Sequence, residues 1–298
     1  MKDEGGSLPR LHTLTRSDFQ FSQASLNDYV DCARRFQLRY VLEQEWPAVE
    51  SEPLIERERL ADLGRRFHRL IQQHVHGLPV EQLTRSAFAD PDLARWWQNY
   101  LKLEVGGWKP VLSEVEGLDV GGDSSRRSAL STYRQAEVTL SIPLGSHRLT
   151  AKYDLLATGD KRAVVVDWKT ERRRPDRALL LRRLQTRVYR YVLAKSDPSL
   201  EPESIAMVYW FAEYPSEPEI LAYDSAQLAA DDAYLRGLVA EIERRTEDIW
   251  PLTPDERKCR FCAYRSLCER GGVAGVAETD EVDVDVEIDL AQIDEIAY

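Results

Sequence analysis

"VVVDWKTERRRPDRALLLRRLQTRVYRYVLA", residues 164–194, is the stretch whose reading decides the fold. It opens on three valines, a short fully apolar run of the kind that fills the middle of a sheet covered on both faces. The run stops at Asp167 and Lys169, which share one face of the strand because side chains alternate with period two. After an Arg- and Pro-rich connection the periodicity becomes helical, predicting a helix over 179–195. A strand ending in a carboxylate and an ammonium, followed by a dense run of arginine, suits a site for a metal ion and a phosphate. Between Lys161 and Arg190, eleven basic residues face three acids.

Two more strands precede this one. In "AEVTLSIPL" (136–144), Val138, Leu140 and Ile142 alternate with Glu137, Thr139 and Ser141. In "HRLTAKYDLLA" (147–157), Leu149, Ala151, Tyr153 and Leu155 alternate with Thr150, Lys152 and Asp154. Upstream, apolar spacing predicts helices over 25–46, with Ser25 as N-cap, over 60–77 and over 90–104. Residues 117–127, rich in Gly, Asp, Ser and Arg, read as a loop. Downstream come strands over 204–214 and 218–223 and a helix over 226–248. This order predicts a mixed α/β core flanked by helices, with a helical addition before it. The expected division is a loose N-terminus (1–20), one domain (21–272) and an acidic tail (273–298).

The chain has 298 residues, 43% hydrophobic and 31% charged, an ordinary globular balance. No apolar run reaches the roughly 18 residues of a spanning helix, so no membrane partner is expected. The start, "MKDEGGSLPR", lacks the apolar core of a signal peptide, so a cytoplasmic location is expected. The formal charge of −11 speaks at first against a polyanionic partner. However, 273–298 holds nine acids and no Lys or Arg, so the remainder is close to neutral and keeps its basic run. The tail alternates Val or Ile with Asp or Glu, which reads as disorder or as an edge-docking strand. Its acids could mimic a nucleic acid in the basic groove or recruit a partner.

Adjacent strands can bring Asp154 beside Asp167 and Lys169. Paired carboxylates are hard oxygen ligands suited to Mg²⁺ or Mn²⁺, which polarises a phosphoryl oxygen and lowers the pKa of bound water. The lysine can offset developing negative charge or position the attacking water. Gly64 and His68 form G-x-x-x-H in the second helix, and a histidine is a plausible third ligand. Gln185 and Tyr189, spaced i,i+4, share a helix face after the lysine. Each motif alone is weak, and an isolated D-x-K is commonly a salt bridge at a strand end. The order "LGRRFH", "LTAKYD", "VVVDWKT", "LQTRVY" resembles the RecB-type branch of the PD-(D/E)xK nucleases over about 25–270. One departure is Ala151-Lys152-Tyr153-Asp154, where that family commonly has a glycine. The resemblance implies a restriction-endonuclease-like mixed sheet. His68, Asp154 and Asp167 would hold the metal and Lys169 would be the catalytic lysine. Gln185 and Tyr189 would contact DNA or brace the site. Arg172, Arg173, Arg174, Arg182 and Arg183 would track the phosphates, and Glu137 would support the ligands from behind.

The four cysteines form a second constellation. Cys259, Cys262 and Cys268 are spaced C-x2-C-x5-C, and Cys32 lies 227 residues before them. Four thiolates complete a site for Zn²⁺ or for a [4Fe–4S] cluster, and C-x2-C is common to both. A lone early cysteine with a late triplet resembles the iron–sulfur staple of some RecB-like nucleases, the AddB-type helicase–nuclease subunit and the CRISPR-associated exonuclease among them. The resemblance implies a structural [4Fe–4S] cluster joining the chain ends, with Zn²⁺ as the alternative. The expected activity is a DNA exonuclease acting on single-stranded or free ends. Two other readings stand beside it: the CRISPR-associated exonuclease itself, working with an integration partner, and a non-catalytic DNA-binding subunit whose partner supplies a helicase. The chain has no G-x-x-x-x-G-K-[ST] loop, so no motor is expected within it.

Overall fold

Every residue of the valine strand after its first is buried, as an apolar run between two layers requires. The structure is a computed structural model that describes residues 19–44, 52–105, 133–159, 161–260 and 262–270. The acidic tail, most of the N-terminal segment and the loop expected at 117–127 lie outside the described residues.

The chain begins with β1 (Gln20–Ser22), α1 (Gln23–Asp31) and α2 (Ala33–Phe36), the last running into a π-turn, Gln37–Val41. Three helices follow: α3 (Glu52–Val75), α4 (Val80–Ala87) and α5 (Pro91–Val105). Strands β2 (Tyr133–Leu144), β3 (His147–Gly159) and β4 (Arg162–Lys169) come next. Then come α6 (Arg177–Arg182), α7 (Leu184–Ser196), β5 (Ile205–Phe211), β6 (Glu219–Ala222) and α8 (Ser225–Glu243). The six strands form one sheet in the order β1-β3-β4-β5-β6, with β2 also paired to β3. β4 and β5 are parallel, and α6 and α7 lie in the crossover that a parallel pair needs. β2, β3 and β4 form an antiparallel meander.

Strand parity sorts the core into two layers. Val164, Val166 and Trp168 pack with Phe67, Leu70 and Trp97 of α3 and α5. Ala163 and Val165 pack with Val188 and Val192 of α7 and with α1. The mixed sheet between helical layers matches the expected class. The details of the helices differ. The N-cap of α1 is Ser22, with Ser25 at the third helical position of a capping box. The helix expected over 25–46 is interrupted at Cys32, whose extended backbone (φ −162°, ψ 110°) turns it out of the helical path. The helix expected over 179–195 is broken at Arg183 (ψ 136°), whose guanidinium is bound by Glu171 at 3.2 Å. Gln20, assigned to the loose N-terminus, instead pairs with Arg148 in β1.

Candidate active site

The site forms where two strands part. The β3–β4 ladder runs through Leu155↔Val166 and then stops, one step before Asp154 and Asp167 would pair. Side chains take over the freed backbone groups of Trp168. Its N–H donates to Asp154 Oδ2 at 2.9 Å, and its carbonyl accepts from His68 Nε2 at 2.9 Å. A carbonyl can only accept, so His68 carries hydrogen on Nε2 and turns Nδ1 toward Asp154 Oδ1, 3.2 Å away. Helix α3 delivers His68 through Gly64, one turn earlier. A Cβ on Gly64 would lie 3.2 Å from Thr170 Oγ1, so the missing side chain lets α3 approach the end of β4.

Glu137 completes the cluster. Ligand atoms of His68, Glu137 and Asp154 all lie within 4.8 Å of one another. Glu137 falls opposite Asp154 in the β2–β3 register, the one place in that run where the pairing lapses, and its φ is 57°. A non-glycine residue in this left-handed region is uncommon and strained. Its carboxylate also meets Lys152 Nζ at 2.5 Å.

Asp167 and Lys169 form a deeper unit, 2% and 5% exposed. Lys169 Nζ is 3.1 Å from Asp167 Oδ2, and Gln185 Nε2 donates to Asp167 Oδ1 at 2.8 Å. Tyr209 donates to Gln185 Oε1, and its ring lies 5.7 Å from the Lys169 ammonium. Both oxygens of Asp167 thus face partners. The three groups that cluster are His68, Glu137 and Asp154, whereas the motif resemblance implies His68, Asp154 and Asp167 with Glu137 behind them. A signal for it existed in the sequence: the two-residue hairpin Gly145-Ser146, with Gly145 at φ 64°, sets Leu144 opposite His147. Counting back along both strands sets Glu137 opposite Asp154.

The electrostatics link the two units. Burial pulls the His68 pKa down, but the charge and hydrogen bond of Asp154 outweigh it, with help from Asp167, and raise it to about 9. Burial resists ionisation of Asp154, yet His68, the Trp168 N–H and Lys169 hold its carboxyl below the usual range.

The remaining predicted residues divide. Tyr189 is buried, its carbonyl accepting from Tyr153 Oη at 3.0 Å and its ring packing against that of Tyr153. Arg172, Arg173 and Arg182 are exposed and make no ion pair among the described residues. Arg174 and Arg183 are engaged by Glu219 and Glu171.

Cys259, Cys262 and Cys268 come back to Cys32. Burial pushes their three thiols up, and Cys32 acts on each in the same direction. Arg34, Arg35 and Arg270 press the other way. Among the described residues, no three cysteine sulfurs lie within 4.8 Å of one another. Lys258 to Asp31 at 2.8 Å and the Arg34 N–H to the Pro251 carbonyl at 3.1 Å tie the two segments together.

No curated protein matches the sequence. Among solved structures, one designated SSO0001 aligns at 14% identity over 85% of this chain and 88% of its own, with a TM-score of 0.37. An exonuclease candidate from Eubacterium rectale aligns at 11% identity over 97% and 99%, with a TM-score of 0.44. The family model described as the PD-(D/E)XK nuclease superfamily matches residues 20–269, and the chain belongs to that superfamily.

Proposed function

We propose that this nuclease is a Mg²⁺- or Mn²⁺-dependent exonuclease of the RecB-like branch that acts on single-stranded DNA ends and carries a structural [4Fe–4S] cluster. Nucleases of the superfamily use divalent metals and act on DNA. The observation that carries the reading is the convergence of His68, Glu137 and Asp154 beside the buried Asp167–Lys169 pair. The donor set fits. The Nδ1 lone pair of His68 and two carboxylates aim at one point, and an imidazole beside oxygen ligands suits Mn²⁺ as well as Mg²⁺. A cation held there supplies polarisation of a phosphoryl oxygen and a lowered pKa for bound water. The chain's residues do the rest. Trp168 fixes His68 and Asp154 through its own backbone. Asp167, Gln185 and Tyr209 hold the Lys169 ammonium at the end of β4, where it offsets charge developing on the phosphate. Arg172, Arg173 and Arg182 attract the polyanion, and Arg174 and Arg183 shape the loop that presents them.

The cysteines support the cofactor reading through their shared neighbourhood and the arginines around it, and a cluster there would staple the α1–α2 break to the C-terminal segment. We read 21–272 as one nuclease unit in the cytoplasm, with the tail 273–298 outside it. Among the described residues, no helix is long and apolar enough to cross a membrane. The test is digestion of end-labelled linear single strands beside covalently closed single-stranded circles. Degradation of the linear strand with the circle intact supports an exonuclease. Linearisation of the circle would overturn that part of the reading, and no cleavage of either with Mg²⁺ or Mn²⁺ would overturn the whole.

A further inference from the structure

The face of β3 that carries Asp154 continues past the site as an open surface. From His147 to Asp154 burial alternates strictly along the strand. Leu149, Ala151 and Tyr153 enter the core, and Arg148, Thr150 and Lys152 share the other face with Asp154. In the β2–β3 register Thr139 lies opposite Lys152 and Ser141 opposite Thr150, so both join that face. Thr139 and Arg148 are exposed, and Ser141, Thr150 and Lys152 are half-buried. Solvated surfaces ordinarily intersperse charges of both signs. Between Asp154 and the hairpin, this face of β2 and β3 carries two cations, three hydroxyls and no carboxylate. Cations and hydroxyls are the side chains that meet phosphate and sugar.

Lys152 joins this face to the cluster. Its Nζ lies 2.5 Å from Glu137 Oε2, yet 42% of its side chain stays exposed. Lys169, only 5% exposed and held by Asp167, has no such freedom. Glu137 is one of the three groups that would hold a cation. A cation there becomes the counter-charge of Glu137, and an ammonium on a flexible four-carbon stem can turn to another anion. A phosphoryl oxygen at the cluster lies beside Glu137 and so within reach of Lys152. Arg148 follows four residues away, about 13 Å along the strand, which is the rise of about four stacked nucleotides. Its guanidinium is already oriented: Nε donates to Ser141 Oγ and Nη2 to the Ser141 carbonyl, both at 2.8 Å. Thr150 Oγ1 supports Ser141 Oγ at 3.1 Å. An oriented guanidinium loses less freedom when it meets a phosphate.

We propose that Lys152 is a substrate-binding residue, released from Glu137 when the cation binds, and that the face from Lys152 to Arg148 holds the phosphate backbone of the DNA strand next to the scissile bond. The inference rests on the nuclease reading above and gives the substrate its path away from that site. The test is binding of fluorescent oligothymidylate to the full chain over a series of salt concentrations. Ca²⁺ replaces Mg²⁺ so that binding is read apart from cleavage, and Ca²⁺ affinity is measured on the same preparations. Lys152→Met should weaken DNA binding about three- to tenfold and lower the salt slope by about one. It should bind Ca²⁺ at least as tightly as wild type, because the ammonium that competes for Glu137 is gone. Lys152→Arg should restore the slope. Arg148→Met should weaken binding of a long oligomer and spare one too short to reach it. Unchanged DNA affinity and slope in Lys152→Met, with wild type binding DNA, overturn the inference and leave the nuclease reading intact. Weaker Ca²⁺ binding by Lys152→Met also overturns it, since the lysine would then serve to orient Glu137 for the cation. Equal losses for both oligomer lengths in Arg148→Met overturn the path. A wild-type chain that binds no oligothymidylate at low salt overturns the single-strand reading itself.

Discussion

A cation at this site must displace a proton. His68 Nε2 is committed to the Trp168 carbonyl, so the nitrogen that faces Asp154 at 3.2 Å is the one that protonates. With no metal bound its pKa is about 9, because the charge and hydrogen bond of Asp154 outweigh the burial that opposes them. Proton competition then weakens apparent metal affinity by a factor of about 100 at pH 7 and about 2 at pH 9. Affinity should therefore rise about 50-fold between these pH values, about 2.3 kcal/mol. Calorimetric titration with Mg²⁺ in buffers of different ionisation enthalpy reads both quantities. About one proton should be released per cation at pH 7 and about half a proton at pH 9. His68→Gln, which offers an oxygen and no titrating nitrogen, should flatten the dependence. Pairing also sets the stability of the metal-free protein. A folded pKa above the unfolded one stabilises the fold fully below about 6.5, and that contribution is lost as pH rises through about 9. Metal-free protein should thus lose up to about 3 kcal/mol on the alkaline side. Affinity independent of pH with no proton release would refute the assignment of Nδ1 as a ligand atom.

Gly64→Ala trades a favourable helix propensity against the 3.2 Å approach to Thr170, so thermal stability should change little while cleavage falls; adding Thr170→Ala, which removes the obstructing hydroxyl, should restore cleavage. Lys169→Met leaves the 2%-exposed Asp167 without its counter-charge and should cost about 3–5 kcal/mol in denaturant unfolding. The double variant Asp167→Asn/Lys169→Met should be less destabilised than the single one, and equal losses would mean the pair is not coupled. Arg172→Ala, Arg173→Ala and Arg182→Ala should each weaken DNA binding and lower the salt slope by about one. Arg183→Ala, which breaks the pair with Glu171, should instead lower the melting temperature.

The sheet was legible because its signals are local. The alternation in 136–144 and 147–157 and the valine run each reflect how a strand is buried, and all three became strands close to the expected bounds. Asp154, Asp167, Lys169 and Gln185 were legible as a group by motif order. What escaped depends on partners distant in sequence. At the break Arg183 pairs with Glu171, twelve positions earlier, and no propensity marks it. The break at Cys32 is not visible in an apolar pattern that runs helically through it. Asp167 proved to be held by Lys169 and Gln185, and Glu137 proved to stand beside Asp154. Strand alternation tells which face a side chain occupies. It does not tell where two strands separate, and that separation built the site.

The most direct test of the central claim is single-turnover digestion of end-labelled DNA by wild type and Asp154→Asn, with Mg²⁺ binding measured on the same preparations. Asp154 is the residue both halves of the account share, since it fixes the Trp168 N–H and faces His68. The account predicts that wild type cleaves only with the cation present and that Asp154→Asn, still folded, loses both cleavage and cation binding. Cleavage by Asp154→Asn at the wild-type rate, or wild-type cleavage undiminished by chelator, would contradict it.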